Sequence, residues 1–122
     1  MSHLPKMDRM GSCDPYAMVI VAEPPQRFQT AVRKGTYNAR FDDVFDLVLG
    51  SAREEIVIRV MDWDLVGDDE SVGSVHVPAS ELAPGRLPMH KDLPLIGPGG
   101  GPVMGKDGKQ TVVSLEFEEG PA

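Results

Sequence analysis

The stretch Val60-Met61-Asp62-Trp63-Asp64-Leu65-Val66-Gly67-Asp68-Asp69-Glu70-Ser71-Val72-Gly73 gathers carboxylates at the end of an apolar run. Side chains alternate along a strand, so Asp62 and Asp64 project to the same side as it runs out, roughly 7 Å apart. Like charges sharing one space repel unless water screens them or a cation fills the gap, and Asp68, Asp69 and Glu70 add to the crowding. Oxygen-only donors suit a hard ion, Ca²⁺ before Mg²⁺, because Ca²⁺ accepts roughly six to eight oxygens in loose geometry. A solvated acidic turn between two strands accounts for this loop alone equally well. An EF-hand does not fit. Asp62, Asp64 and Gly67 fall at its first, third and sixth positions, but Val66 takes the fifth, Gly73 replaces the closing glutamate, and a strand precedes the loop where a helix is needed.

A second acidic pair occurs near the start, in Leu4-Pro5-Lys6-Met7-Asp8-Arg9-Met10-Gly11-Ser12-Cys13-Asp14-Pro15-Tyr16. Asp8 and Asp14 flank a short tip containing Gly11, and the chain then enters an apolar run. Other candidate chemistry is thin. His3, His76 and His90 are scattered, and no Ser or Cys stands in a nucleophile setting, so no enzymatic activity is expected. Cys13 sits among carboxylates, which keep its thiol protonated and slow to react. The Gly- and Pro-rich residues 97–109 lack the Gly-Lys-Ser/Thr ending of a phosphate loop and are expected to be a flexible strand connection. Arg27, Arg33, Lys34 and Arg40 make a sparse basic face, read as solvated.

The elements that must carry these loops are strands. The apolar runs are short, rich in Val, Ile and Phe, and broken by Gly, Pro, Asn and Asp. Strands are expected at Tyr16 to Ala22, Phe28 to Lys34, Phe41 to Leu49, Glu54 to Asp62, Ser74 to Val77 and Thr111 to Phe117, with a weak one near Lys91 to Leu95. No helix is expected. Seven strands without helical alternation indicate an all-β, antiparallel Greek-key β-sandwich, a single domain over residues 1–119.

Composition agrees with a folded domain. At 122 residues there is room for one core, and 41% hydrophobic with 25% charged residues excludes a disordered tail. Lys+Arg 12 against Asp+Glu 19 gives a net charge of −7, which argues against nucleic acid and, without an intervening cation, against an anionic membrane. The single cysteine excludes an internal disulfide and a thiolate metal cluster, so a reducing, cytoplasmic setting is expected. No apolar run approaches a membrane span or a signal peptide.

Taken together, Leu-Pro-Lys-Met-Asp with Ser-Cys-Asp-Pro-Tyr, the Asn38 to Phe45 segment, and Val-Met-Asp-Trp-Asp followed by Ser-Val-Gly resemble a C2 domain, the calcium- and phospholipid-binding sandwich of synaptotagmins and conventional protein kinase C. The resemblance covers residues 4 to about 118. It implies that Asp8 and Asp14 are Ca²⁺ ligands from a first loop and that Asp62, Asp64 and Glu70 are ligands from a third. Glu70 stands where the family has an aspartate, and Asp69 lies one position early. Met10, Leu65 and Val66 take the loop tips, where the family meets the bilayer, while Trp63 is expected to pack. The resemblance therefore implies a module that binds anionic phospholipid membranes when Ca²⁺ is present, cytoplasmic and peripheral to the membrane. Its alternative is a Ca²⁺-independent protein-interaction module. Family members carry an apolar strand before the Leu-Pro matched by Leu4-Pro5. Only Met1-Ser2-His3 stands there, so either another segment fills the slot or an exposed sheet edge is expected, with a dimer through that edge, aggregation or low melting as its consequence.

Overall fold

The computed structural model describes residues 14–22, 25–35, 41, 43–49, 54–63, 68–82, 84–105 and 108–118. Six strands occur among them: β1 (Pro15–Val21), β2 (Gln26–Gln29), β3 (Glu55–Asp62), β4 (Glu70–Pro78), β5 (Met89–Pro94) and β6 (Val112–Phe117). They form a four-stranded antiparallel sheet in the order β2-β1-β3-β4 and a two-stranded antiparallel sheet β5-β6.

The near-continuous apolar run of β1 places it inside its sheet, with Tyr16, Ala17, Met18 and Val21 all buried. Pro15 opens the strand, where its missing N–H costs least. On β3 strict alternation sends Ile56, Ile58 and Val60 inward, and β4 adds Val75 and Val77. Leu82, Leu95 and Val113 close the core over this face. The expected all-β sandwich is therefore present.

One irregularity sets the phase of β4. Val60 faces Gly73 but Met61 faces Ser71, so Val72 is an extra residue, a β-bulge. Val72 and Gly73 are consequently both buried. The two sheets are tied together here, because Ser74 N–H donates to Ile96 C=O at 2.8 Å and Ile96 N–H returns to Ser74 C=O at 3.1 Å. A Cβ at position 73 would lie 2.5 Å from that Ile96 oxygen, so glycine permits the approach.

The strand expected at Phe28 to Lys34 is β2 at Gln26–Gln29, and the one expected at Ser74 to Val77 begins earlier, at Glu70. Three further expectations need correction. Residues 41 and 43–49 are not a strand: their side chains alternate as expected, with Phe45 and Leu47 half-buried and Val44 84% exposed, but no ladder partner lies beside them among the described residues. Val48 is instead held by the Gln26 side-chain amide, whose oxygen accepts from Val48 N–H at 2.8 Å while its nitrogen donates to Val48 C=O at 2.7 Å. Phe45 also stacks on Phe28, ring centroids 5.1 Å apart.

Second, the chain is not free of helix. Short 3₁₀ turns at Ala79–Leu82 and Pro84–Arg86 follow β4, the first burying Ala79 and Leu82.

Third, the described part of residues 97–109 is organised by its own backbone rather than a slack connection. Gly97 N–H donates to Gly101 C=O, Gly105 N–H to Lys109 C=O, and Val103 bridges Leu95 and Thr111.

Candidate functional site

Asp62 ends β3 on its inward-facing side, one alternation beyond Val60, and is 5% exposed. It stands opposite Pro15 on one side and Glu70 on the other. Residues directly opposed in an antiparallel pair project to the same face, so Glu70 shares the face of Asp62 at the exposed margin of the sheet. A buried carboxylate needs hydrogen-bond donors, and Asp14 N–H supplies one to Asp62 Oδ1 at 2.8 Å. Asp14 C=O in turn accepts from Trp63 N–H at 2.9 Å, which extends the β1-β3 pairing one step past the strand ends.

The Asp14 carboxylate is anchored by a third segment. Gly35 N–H donates to its Oδ1 at 2.6 Å from a turn in which Gly35 has φ 65°, a left-handed conformation that glycine adopts without Cβ strain. Asp14, Asp62 and the Lys34-Gly35 turn thus form one hydrogen-bonded end of the domain.

Trp63 is half-buried at this end, and Lys34 Nζ lies 4.6 Å from the centroid of its indole ring, a cation–π contact. Two other cations of the expected basic face go elsewhere. Arg33 lies over the Phe41 ring, 5.5 Å from its centroid, and Arg27 reaches Met18 Sδ.

The opposite face carries separate chemistry. Tyr16, Met61 and Ser71 line up across β1, β3 and β4, and Tyr16 O–H donates to Asp69 Oδ2 at 2.5 Å. Burial, then the hydrogen bond to Asp69 and its negative charge, push the Tyr16 phenol up to about 12. Asp69 is thus engaged by Tyr16 on the tyrosine side of the sheet. Two exposed histidines are paired with carboxylates, His76 Nδ1 with Glu55 at 2.5 Å and His90 Nε2 with Asp92 at 2.9 Å. Ser114 Oγ–H and then His90 stabilise ionised Asp92 and lower its carboxyl below the ordinary value.

Of the ligands expected from sequence, Asp14, Asp62 and Glu70 come to one end of the sheet. Asp8 and Asp64, with Met10, Leu65, Val66, Cys13 and Arg40, lie outside the described residues. Among the described residues, no three His, Cys, Asp or Glu side chains close on one another as a metal centre. Sequence reasoning missed the Gly35 anchor, the Lys34–Trp63 contact and the Tyr16–Asp69 bond. Each joins segments far apart in the chain, and no local pattern signals them.

A model of the C2 domain family matches residues 1–92. Synaptotagmin-4 of Arabidopsis thaliana is 29% identical over 86 residues, covering 69% of this chain and 15% of the relative. Tricalbin-2 of Saccharomyces cerevisiae is 30% identical over 118 residues, covering 94% of this chain and 9% of the relative. The chain thus spans a small part of either relative. Among solved structures, a single C2 domain of plant Extended Synaptotagmin 1 matches with a TM-score of 0.75 and 20% identity, over 97% of this chain and 89% of that one. A calcium-bound structure of two C2 domains of Extended-Synaptotagmin 2 gives a TM-score of 0.74 at 22% identity, over 96% of this chain and 41% of that one. These structural likenesses concern the fold.

Proposed function

Because this chain belongs to the C2 domain family, we propose that it is a calcium-dependent module for binding anionic phospholipid membranes. The supporting observation is the acidic end just described, where buried Asp62 is pre-oriented by Asp14 N–H and shares its face with Glu70. The donor chemistry fits Ca²⁺, being carboxylate oxygen throughout. Asp8, Asp14, Asp62, Asp64 and Glu70 would hold it. When bound, Ca²⁺ supplies positive charge and coordination positions for lipid phosphate or carboxylate oxygens.

The chain's own residues set the rest of the behaviour. With a net charge of −7 and carboxylates at its mouth, the metal-free domain is repelled by an anionic leaflet. Its main-chain anchors hold Asp14 and Asp62 in place, so little backbone motion is needed on loading. Met10, Leu65 and Val66 would enter the interface, each side chain contributing about 1.5 to 3 kcal/mol if fully buried. Association is peripheral in this reading, on a cytoplasmic surface; no helix of the described residues is long and apolar enough to cross a membrane.

The test is Asp62→Asn combined with Asp64→Asn. Asparagine keeps an oxygen for Asp14 N–H, so the fold should persist by circular dichroism. Calcium-driven sedimentation with phosphatidylserine vesicles should vanish. Undiminished sedimentation would defeat the proposal.

A further inference from the structure

His90 and Asp92 stand two residues apart on β5, and the register sets them opposite Glu116 and Ser114 of β6. Alternation sends all four side chains to the exposed face of this sheet, while Leu93, Val113 and Leu115 turn toward the core and Lys91 reaches Glu81 at 3.0 Å. One imidazole, two carboxylates and a hydroxyl are thus gathered on a different sheet from the acidic end.

Their contacts are those of a ligand pair with its supports. His90 Nε2 lies 2.9 Å from Asp92 Oδ1, Ser114 Oγ–H donates to that same oxygen at 2.5 Å, and His90 Nδ1 faces Glu116 Oε1 at 3.8 Å. A neutral imidazole carries one N–H and one lone pair, yet here each ring nitrogen meets a carboxylate. With the N–H on the Glu116 side, the Nε2 lone pair is set against Asp92, and a cation between the two removes the conflict. Zinc–nitrogen and zinc–oxygen bonds of about 2.1 Å place tetrahedral neighbours roughly 3.4 Å apart. A widening of about 0.5 Å therefore admits the ion, and side chains 54% and 59% exposed are free to make it. Metal-bound imidazoles and carboxylates are themselves held by outer hydrogen-bond partners, the positions that Glu116 and Ser114 occupy. The nitrogen donor selects a zinc-like ion over Ca²⁺, which keeps to oxygen.

We propose that His90 and Asp92 are the protein ligands of a site for a zinc-class divalent ion, with Glu116 and Ser114 positioning them from the facing strand and water completing the shell. The site is independent of the calcium reading, since neither ligand lies at the acidic end. An ion held there braces β5 against β6.

The experiment follows the imidazole nitrogen signals of the full chain by NMR as Zn²⁺ or, separately, Ca²⁺ is added, with calorimetry for stoichiometry. Zn²⁺ should move the His90 signals in a saturable way, Nε2 most, and Ca²⁺ should not. His76, whose ring meets Glu55 and Ser74 instead, is the internal control and should lag well behind. His90→Gln should remove one zinc equivalent, and Glu116→Ala should weaken the His90 response about tenfold, with circular dichroism unchanged at these exposed positions. Parent stoichiometry in His90→Gln, equal titration of His76 and His90, an undiminished response in Glu116→Ala, or a His90 shift with Ca²⁺ matching that with Zn²⁺ would each overturn the inference.

Discussion

Gly73→Ala tests the junction between the two sheets. The added Cβ would sit 2.5 Å from Ile96 O, 2.9 Å from Leu95 Cγ and 3.0 Å from Ile96 C. Two of these neighbours are backbone atoms, and Leu95 is completely buried, so none can swing away freely. The Ile96 segment must retreat by about 0.5 Å or more, stretching the paired bonds between Ser74 and Ile96. Overpacking of this kind costs about 1 to 3 kcal/mol, and each weakened hydrogen bond forfeits up to about 1 kcal/mol. Alanine recovers about 0.4 to 1 kcal/mol by restricting the unfolded chain. The expected net loss is about 2 to 4 kcal/mol, a large share of the ~5 to 15 kcal/mol that holds a domain together. Urea unfolding followed by Trp63 fluorescence reads this directly, and amide exchange at Ser74 and Ile96 locates it. Gly99→Ala is the control, since nothing lies within 4 Å of its Cβ position and it should be near neutral. A loss below about 0.5 kcal/mol for Gly73→Ala, with both amides protected as in the parent, would refute the packing argument.

Two further outcomes are expected. The folded state keeps the Tyr16 proton up to about pH 12 while the unfolded chain releases it near 10, so stability falls as pH rises through that window and is fully present below it. Tyr16→Phe should remove that share of the alkaline loss, read as a smaller drop in urea midpoint between pH 9.5 and pH 11.5; parallel curves for parent and variant would count against the buried phenol as its source. If the acidic end holds Ca²⁺ as proposed, Glu70 must fold back an extra methylene to reach an ion placed for aspartate, so a site that depends on it should be weaker than one bounded by Asp14, Asp62 and Asp64; Glu70→Asp should tighten that weaker site and Glu70→Gln should remove it, sparing the other. Calorimetry with all three proteins alike would make Glu70 a solvated residue at the start of β4 and not a ligand.

Much of the sandwich was legible because burial leaves a period in the sequence. Ile56, Ile58 and Val60 alternate with Val57 and Arg59, and that pattern alone located β3 and put Asp62 on the inward side. Phe41 to Leu49 shows where such reasoning stops: alternation reports which side chains are covered, whereas a strand also needs a neighbouring backbone, and Val48 found a glutamine side chain instead. The extent of β4 was underestimated because Glu70 and Ser71 look like loop residues yet pair with Asp62 and Met61. At the candidate site, the acidic residues announced themselves by type and spacing. Their anchors did not, since Gly35 N–H and Lys34 Nζ reach Asp14 and Trp63 across gaps in sequence that only the folded topology closes.

The extra residue at Val72 has a consequence for how such a domain can change over time. A one-residue slip along an uninterrupted strand would turn every side chain to the wrong face. In β4 the bulge separates two halves, one whose phase is dictated by Val75 and Val77 in the core and one that presents Glu70 beside Asp62. A shortened or lengthened loop between β3 and β4 can then be absorbed where the strand is already irregular. Descendants of this sequence can rewrite the acidic end without renegotiating the interior that keeps them folded.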